Sequence, residues 1–193
     1  MKKVIILSLL FIFVMPAFTF ANKPYELFGG KLVNGIGNWG RTTQYYWIDD
    51  SAYKETEIID NSMDAWIDTR HGISTPIFFD STTDESSSVI DIYKGKYYPK
   101  EMGIIAETQF YRYGNTINPY FNYSWTIIEL NESSFDSLHI FYKSGTIAHE
   151  IGHAFGLAHT NDRQDSIMCQ ISSGRYVNIP DPGSLSGINV LYE

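Results

Sequence analysis

The residues best suited to chemistry in this 193-residue chain lie between positions 149 and 159, which read His-Glu-Ile-Gly-His-Ala-Phe-Gly-Leu-Ala-His. His149 and His153 are four residues apart, so on a helix they share one face with Cβ atoms about 5–6 Å apart. Two imidazoles in that arrangement can ligate one zinc ion. Glu150 projects about 100° further round the helix, where its carboxylate can take a proton from a water bound to zinc. The spacing therefore predicts a zinc site with a catalytic base beside it.

His159 must reach the same ion from outside the helix. It lies six residues past His153, which is about 120° off the ligand face if the helix continued. Gly156 lies between them, and glycine accepts the left-handed conformation common just past a helix end. We therefore expect the chain to turn at Gly156 and bring His159 back as a third ligand. Three neutral nitrogen ligands leave one position open for water, which predicts metal-assisted hydrolysis of an acyl bond.

The length of this motif distinguishes it from chance occurrences of His-Glu-x-x-His on ordinary helices. With Met168 nine residues beyond the third histidine, it resembles the signature of the metzincin zinc endopeptidases, in which a methionine turn follows the elongated motif. It is most similar to the matrixins. Thr160 follows the third histidine, where matrixins often carry Ser and other metzincins favour Asp, Glu or Pro, and residues 186–192 resemble the last matrixin helix. The resemblance implies that the zinc ligands are His149, His153 and His159, that the catalytic base is Glu150, and that Met168 packs under the histidines without ligating.

The sequence also departs from related patterns at several positions. Gln170 stands where astacin-like and serralysin-like enzymes place a tyrosine ligand, so no such ligand is expected. Gly183 and Ser184 stand where many matrixins hold two aspartates, so the anchoring of a mature N-terminus by that pair is not carried over. A cysteine-switch prosegment is not recognised, and the second zinc of animal matrixins is not carried over, because only His71 and His139 remain.

The elements that must position these residues can be predicted from periodicity. Strands are expected at 43–48, 76–80, 88–93, 104–111 and 125–130, and a turn at 131–134. Apolar residues at helical spacing predict a packing helix over 52–70, with Ser51 as its N-cap and Trp66 in the core. The zinc helix is expected from about Ser144 to Phe155, and a closing helix over 184–191. This order predicts an α+β fold: a zincin-like or metzincin-like twisted mixed sheet with a packing helix, a zinc-site helix and a C-terminal helix.

The N-terminal residues have the pattern of a signal peptide. Lys2 and Lys3 precede an apolar run over 4–14, and Ala21 offers a small residue at a cleavage site. The alternative is a membrane anchor, but the run is shorter than the roughly 20 residues that span a bilayer. We therefore predict a signal peptide at 1–21, a single matrixin-like metallopeptidase domain at 22–193, and secretion.

Composition restricts the partners. The formal net charge of −8 argues against nucleic acid and anionic membranes, and we expect a protein or peptide substrate, no stable membrane anchor and a monomer. Cys169 is the single cysteine, so an internal disulfide is excluded. It is interpreted as a small buried residue, and the alternative is a reactive thiol near the zinc.

Besides one catalytic Zn²⁺, a structural Ca²⁺ is the second cofactor considered. Asp80, Asp84 and Asp91 supply hard oxygen ligands of the kind that calcium prefers, although no EF-hand pattern is present. The alternative is that these carboxylates only contribute to solubility.

The residues together predict a secreted zinc-dependent endopeptidase, in which zinc activates a water and Glu150 acts as general base. The strand at 104–111 is expected at a sheet edge, where it would bind an extended peptide. Residues 171–178 would wall the subsite for the residue that follows the cleaved bond (S1′), with Tyr176 as a wall residue. One alternative is a secreted non-catalytic binding protein that retains a zinc site, and another is a zinc hydrolase of non-peptide amides.

Overall fold

The computed structural model describes residues 23–193 and has eight β-strands in that range. The strands are β1 (Glu26–Leu27), β2 (Gln44–Ile48), β3 (Phe79–Thr82), β4 (Ile90–Gly95), β5 (Ala106–Arg112), β6 (Asn115–Thr116), β7 (Trp125–Asn131) and β8 (Leu157–Ala158). Six of them form one sheet in the order β3-β2-β4-β7-β5-β6. The pairs β2–β3, β2–β4 and β4–β7 are parallel, whereas β5 is antiparallel to both β7 and β6. β1 and β8 form a separate antiparallel pair.

Four α-helices complete the described part of the chain: α1 (Thr56–Ile67), α2 (Glu132–Phe135), α3 (Ile140–Ala154) and α4 (Pro182–Tyr192). α1 packs against α3, which itself contacts β5 and β7. Two hydrogen bonds join the helices, because Trp66 Nε1 donates to the Ala148 carbonyl at 3.0 Å and Ser62 Oγ donates to the Ser144 carbonyl at 3.2 Å. The predicted α+β class, a mixed sheet with a packing helix, a site helix and a C-terminal helix, is confirmed.

Aromatic side chains fill the core between α1, α3 and the sheet. Trp66 and Phe155 are 0% exposed and meet edge to face at 5.6 Å between ring centroids. Phe79 of β3 packs on Phe155 with centroids 5.4 Å apart. The prediction that Trp66 lies in the core is therefore confirmed, and its position fixes α1 against the helix that carries the histidines.

Two helices begin earlier than predicted because their caps were not identified. α3 begins at Ile140 rather than Ser144, and His139 Nδ1 caps it by accepting a hydrogen bond from the Phe141 amide at 3.3 Å. Histidine is not a preferred N-cap residue, so the helix start could not be predicted from it. α4 begins at Pro182 rather than Ser184, behind the N-cap Asp181. The predicted turn at 131–134 was wrong from Glu132 onward, because these residues belong to α2.

The predicted bounds around α1 and β3 also need correction. A 3₁₀ turn over Asp50–Glu55 precedes α1, and its N-cap is Asp49. The predicted N-cap of the helix, Ser51, lies inside this turn, and α1 ends at Ile67 rather than Arg70. β3 begins at Phe79 rather than Pro76. The Phe78 amide bonds the Ile36 carbonyl outside the sheet, although the Phe78 carbonyl accepts from the Gln44 amide of β2.

β5 is an edge strand over only part of its length. Its last two residues, Tyr111 and Arg112, pair with β6, and the Ile117 amide bonds the Phe110 carbonyl. The expected edge strand at 104–111 is therefore open from Ala106 to Gln109 and covered beyond. The open half is the half nearest to α3, because Thr108 is the residue that contacts this helix by a hydrogen bond.

Across residues 23–193, no helix combines the length and the apolar character needed to cross a bilayer. The predicted signal peptide at 1–21 lies outside the described residues.

Candidate metal centre and active site

The three histidines of the motif come together at one point. His149 and His153 lie on the same buried face of α3, and His159 approaches from the segment that follows. The Nε2 atom of His159 is 3.1 Å from Nε2 of His153 and 3.2 Å from Nε2 of His149. Among the residues that the structure describes, they are the only group of three or more His, Cys, Asp or Glu side chains close enough to hold a metal ion.

Hydrogen bonds at the opposite ring nitrogens fix how two of these imidazoles face the centre. His149 Nδ1 lies 2.7 Å from the Ile167 carbonyl, and His153 Nδ1 lies 2.7 Å from the Leu157 carbonyl. A carbonyl only accepts, so both Nδ1 atoms carry the proton and both Nε2 atoms present lone pairs. Burial lowers the pKa of His149 and lowers that of His153 to about 3, so both rings are neutral at neutral pH.

These residues fit zinc. Nitrogens at the usual Zn–N distance in a tetrahedral site are about 3.3 Å apart, close to the separations of the Nε2 atoms. Lone pairs that face each other without a donor between them repel, and a shared cation removes that repulsion. The donor set, three neutral imidazoles, is one that zinc prefers.

Gly156 produces the turn that returns the chain to the site. Its φ of +103° is a backbone conformation that favours glycine, and a Cβ there would meet Leu191 Cδ2 at 2.5 Å and the Gly30 carbonyl oxygen at 2.9 Å. β8 follows directly and pairs with β1, which directs the chain towards His159. The expected turn at Gly156 is confirmed, and tertiary contacts add a second reason for glycine at this position.

Glu150 lies beside the histidines, and a residue of β5 binds its carboxylate. Thr108 Oγ1 lies 2.8 Å from Glu150 Oε2 and 3.1 Å from the Glu150 carbonyl. Burial raises the pKa of Glu150 to about 7, although the Thr108 hydrogen bond and the Arg175 charge act in the opposite direction. The sequence analysis did not identify Thr108, because a threonine within a strand carries no signal of its partner on a helix 42 residues away.

Met168 packs beneath the helix that carries His149 and His153. It is 1% exposed, and a Cβ on Gly152 would meet its Sδ atom at less than 3.0 Å. Gly152 lies between His149 and His153 on α3, so Met168 packs directly against the helix at the level of the histidines. The Met168 carbonyl also accepts from the Thr160 amide at 3.0 Å, which ties Met168 to the segment after His159.

Asp181 connects the segment around Met168 to the last helix. Its carboxylate accepts from the Ile167 amide at 2.9 Å, and also from the amides of Gly183 and Ser184 and from the Ser184 hydroxyl. The sequence analysis noted Gly183 and Ser184 because many matrixins hold two aspartates there. In this chain the carboxylate that binds the segment around Met168 belongs to Asp181, just before these two residues. The sequence could have indicated Asp181 as a helix cap, because an Asp followed by Pro is a typical helix start.

A cavity of about 540 Å³, here called the Glu150 cavity, opens next to the site. It is lined by residues 102–106, by Thr146, His149 and Glu150 of α3, and by residues 170–172 and Arg175. Tyr176, the predicted wall residue, is 62% exposed and does not line it, whereas Arg175 does. The side chain that precedes Tyr176 turns inward, which the sequence could not indicate.

A second cavity of about 600 Å³ lies between α1 and residues 178–180, away from the histidines.

Cys169 and the calcium candidates can now be examined. Cys169 is 0% exposed, and its Sγ lies near the Gln170 carbonyl. Burial raises the pKa of its thiol. Both observations match the interpretation of Cys169 as a small buried residue. Asp80, Asp84 and Asp91 do not form one ligand cluster. Asp84 instead accepts hydrogen bonds from Ser86 and Ser87, and Asp91 from Ser88 and Trp125. A calcium ion stays a prediction.

A mixed sheet above a helix that carries converging histidines beside a buried carboxylate fits a metal-dependent hydrolase. The family model described as Matrixin matches residues 51–193, about three quarters of the chain. The chain belongs to the matrixin family. Membership of this family makes the chain a zinc metallopeptidase, a hydrolase that acts on protein or peptide substrates. The resemblance and the fold class predicted from the sequence are both confirmed. A search of curated proteins gives no significant match.

Proposed function

We propose that this chain is a secreted zinc-dependent endopeptidase in which His149, His153 and His159 hold the ion and Glu150 is the general base. One observation carries the proposal. Three imidazole Nε2 atoms face each other at 3.1 and 3.2 Å, next to a buried carboxylate that is not needed as a ligand. In the same proposal, residues 1–21 are a signal peptide cut after Ala21, and residues 22–193 are one catalytic domain that works as a monomer.

When bound, zinc supplies Lewis acidity that acidifies water and polarises a carbonyl group. Glu150 accepts a proton from the attacking water and then delivers it to the departing amine. The Thr108 hydroxyl holds Oε2 of Glu150 at 2.8 Å, which limits the orientations of the carboxylate. A carboxylate that can gain and then lose a proton serves both transfers.

The substrate lies along the open half of β5. The backbone of Ala106 to Gln109 has no strand beyond it in the sheet, so an extended peptide can add there by β-augmentation. The Glu150 cavity then serves as the S1′ subsite, because the residue on the departing amine lies on the side where Glu150 delivers its proton. Binding along a strand edge recognises internal peptide segments, which favours an endopeptidase.

Replacement of the proposed base tests this mechanism. Glu150→Ala should lower kcat/KM on a cleavable peptide by about 10²–10⁴-fold, the usual contribution of a general base, while zinc content stays at one ion per chain. The matched control is Glu57→Ala, which removes an exposed carboxylate at the first turn of α1. A Glu150→Ala protein that keeps full, chelator-sensitive proteolysis would exclude Glu150 as the base.

A non-catalytic zinc-binding protein is the alternative. The buried, hydrogen-bonded Glu150 argues against it, because burying a carboxyl group costs stability that a binding protein has no reason to retain. Digestion of a proteome-derived peptide library, with products identified by mass spectrometry, separates the two. Internal cleavage supports the endopeptidase, whereas intact peptides with a fully zinc-loaded protein support the alternative.

A further inference from the structure

The Glu150 cavity contains two buried hydrogen-bond donors that the proposed reaction does not use. Arg175 and Thr146 are each 4% exposed, and both line the cavity beside His149 and Glu150. The other walls are largely apolar, with Ile104, Ile105 and Ala106 on the sheet side. A positive charge in such a pocket is costly unless a partner neutralises it.

The guanidinium of Arg175 is only partly satisfied by the protein. Its Nη1 atom donates to the carbonyls of Ile167 and Cys169, both at 3.3 Å. Guanidinium carries five N–H donors, and neither Nε nor Nη2 has a hydrogen-bond acceptor in the described part of the chain. Within residues 23–193, no carboxylate lies within 4.0 Å of Arg175. Burial lowers the pKa of Arg175 to about 10, so the group stays charged at neutral pH.

Thr146 gives an independent indication of the same kind. Its Oγ1 atom is buried and has no hydrogen-bond partner among the described residues. A buried hydroxyl without a partner costs about 1–3 kcal/mol, so folded proteins rarely keep one without a use. Thr146 lies one helical turn before Glu150 on α3, and so adds a donor to the cavity on the helix side.

A purely structural role for Arg175 accounts for only part of its chemistry. Nη1 holds the two carbonyls that flank Met168, and this use leaves the other edge of the guanidinium unpaired. Glu150 attracts Arg175 through space, but the two are not within ion-pair distance, and the Glu150 carboxylate is hydrogen-bonded by Thr108 instead. The remaining donors are left for water or for an acceptor that enters the cavity.

We propose that the Glu150 cavity is an S1′ subsite that selects an acidic side chain, with glutamate as the favoured residue after the cleaved bond. Arg175 binds the substrate carboxylate and Thr146 donates a further hydrogen bond to it. This inference rests on the proposed endopeptidase function, because that function defines which substrate residue enters the cavity. The formal charge of −8 opposes any general attraction for acidic peptides, so the preference must come from the cavity.

Three peptides that differ only at the residue after the cleaved bond test the proposal: Glu, its neutral isostere Gln, and Leu. The zinc-loaded protein should cleave the Glu peptide with a kcat/KM at least about tenfold above the Gln peptide, as expected for a charge-assisted hydrogen-bonded pair in a largely apolar cavity. Arg175→Met should abolish the Glu-to-Gln ratio, and Arg175→Lys should keep part of it. Leu or Gln peptides cleaved as fast as the Glu peptide would overturn the subsite proposal and leave the peptidase function intact.

Two further measurements keep the test decisive if Arg175 variants do not fold. Thr146→Val preserves shape and removes the hydroxyl, and it should lower the Glu-to-Leu ratio by about threefold or more; an unchanged ratio counts against the proposal. Calorimetry on zinc-loaded Glu150→Ala measures binding without cleavage. If the wild-type protein cleaves no peptide, the endopeptidase function fails. Tighter binding of the Glu peptide than of the Gln peptide would then still support the acidic subsite. Equal binding of the two peptides rejects the acidic subsite.

Discussion

Gly152 offers the sharpest test of how Met168 supports the helix that carries the histidines. It lies within α3 between His149 and His153, where alanine would normally stabilise the helix by about 0.5–1 kcal/mol. A Cβ there would meet Met168 Sδ at less than 3.0 Å and Trp66 Cζ2 at 3.0 Å. Both neighbours are almost fully buried, at 1% and 0% exposure, so neither can move into free space.

The magnitude follows from these opposing effects. Overpacking a filled core by one methyl group costs about 1–3 kcal/mol, so Gly152→Ala should lower the free energy of unfolding by about 1–2 kcal/mol after the gain in helix propensity. At about 2–4 °C per kcal/mol for a domain of this size, the melting temperature should fall by about 2–8 °C. Displacement of Met168 also moves Ile167, whose carbonyl orients His149, so zinc affinity should fall by about 10–100-fold.

The assay combines denaturant unfolding of the zinc-free protein with a competitive zinc titration. Met168→Ala provides the matched background, because it removes the sulfur that the new methyl group would meet. In that background Gly152→Ala should cost at least about 1 kcal/mol less than in the wild type, with a remainder due to Trp66. A Gly152→Ala protein that is as stable as the wild type and binds zinc equally well would refute the reasoning.

Two further predictions concern residues that the sequence analysis did not identify. Thr108→Val removes the hydroxyl that binds Glu150 and should lower kcat/KM by about 10-fold or more at unchanged zinc content, whereas Thr108→Ser should stay near wild type; equal rates for Val and Ser would contradict a positioning role. Asp181→Ala removes the cap of α4 and the acceptor for the Ile167 amide, so the free energy of unfolding should fall by about 2–4 kcal/mol in a urea titration. Ser186→Ala, at a partly exposed position of the same helix, is its control and should change stability by less than about 0.5 kcal/mol; a similar loss in both variants would rule out a special role for Asp181.

The helix and strand content could be predicted where one periodicity dominates. Apolar spacing identified α1 and the core position of Trp66, and runs rich in β-branched and aromatic residues located the central strands. The ends of elements were less predictable, because His139 caps α3 through a ring nitrogen and the Phe78 amide pairs with Ile36 rather than extending β3. Such ends depend on which partner a backbone group finds in the folded chain.

The sequence by itself determined the reactive centre, because its geometry is local. The shared face of His149 and His153 follows from helix geometry, and the turn at Gly156 follows from the conformational freedom of glycine. The final approach of His159 also uses the pairing of β8 with β1. Only the tertiary structure decided what surrounds this centre: Thr108 on Glu150, Asp181 on the segment around Met168, and Arg175 in the cavity where Tyr176 was expected. These contacts join residues from separate elements, and their pairing depends on strand order and helix docking, which short-range spacing does not encode.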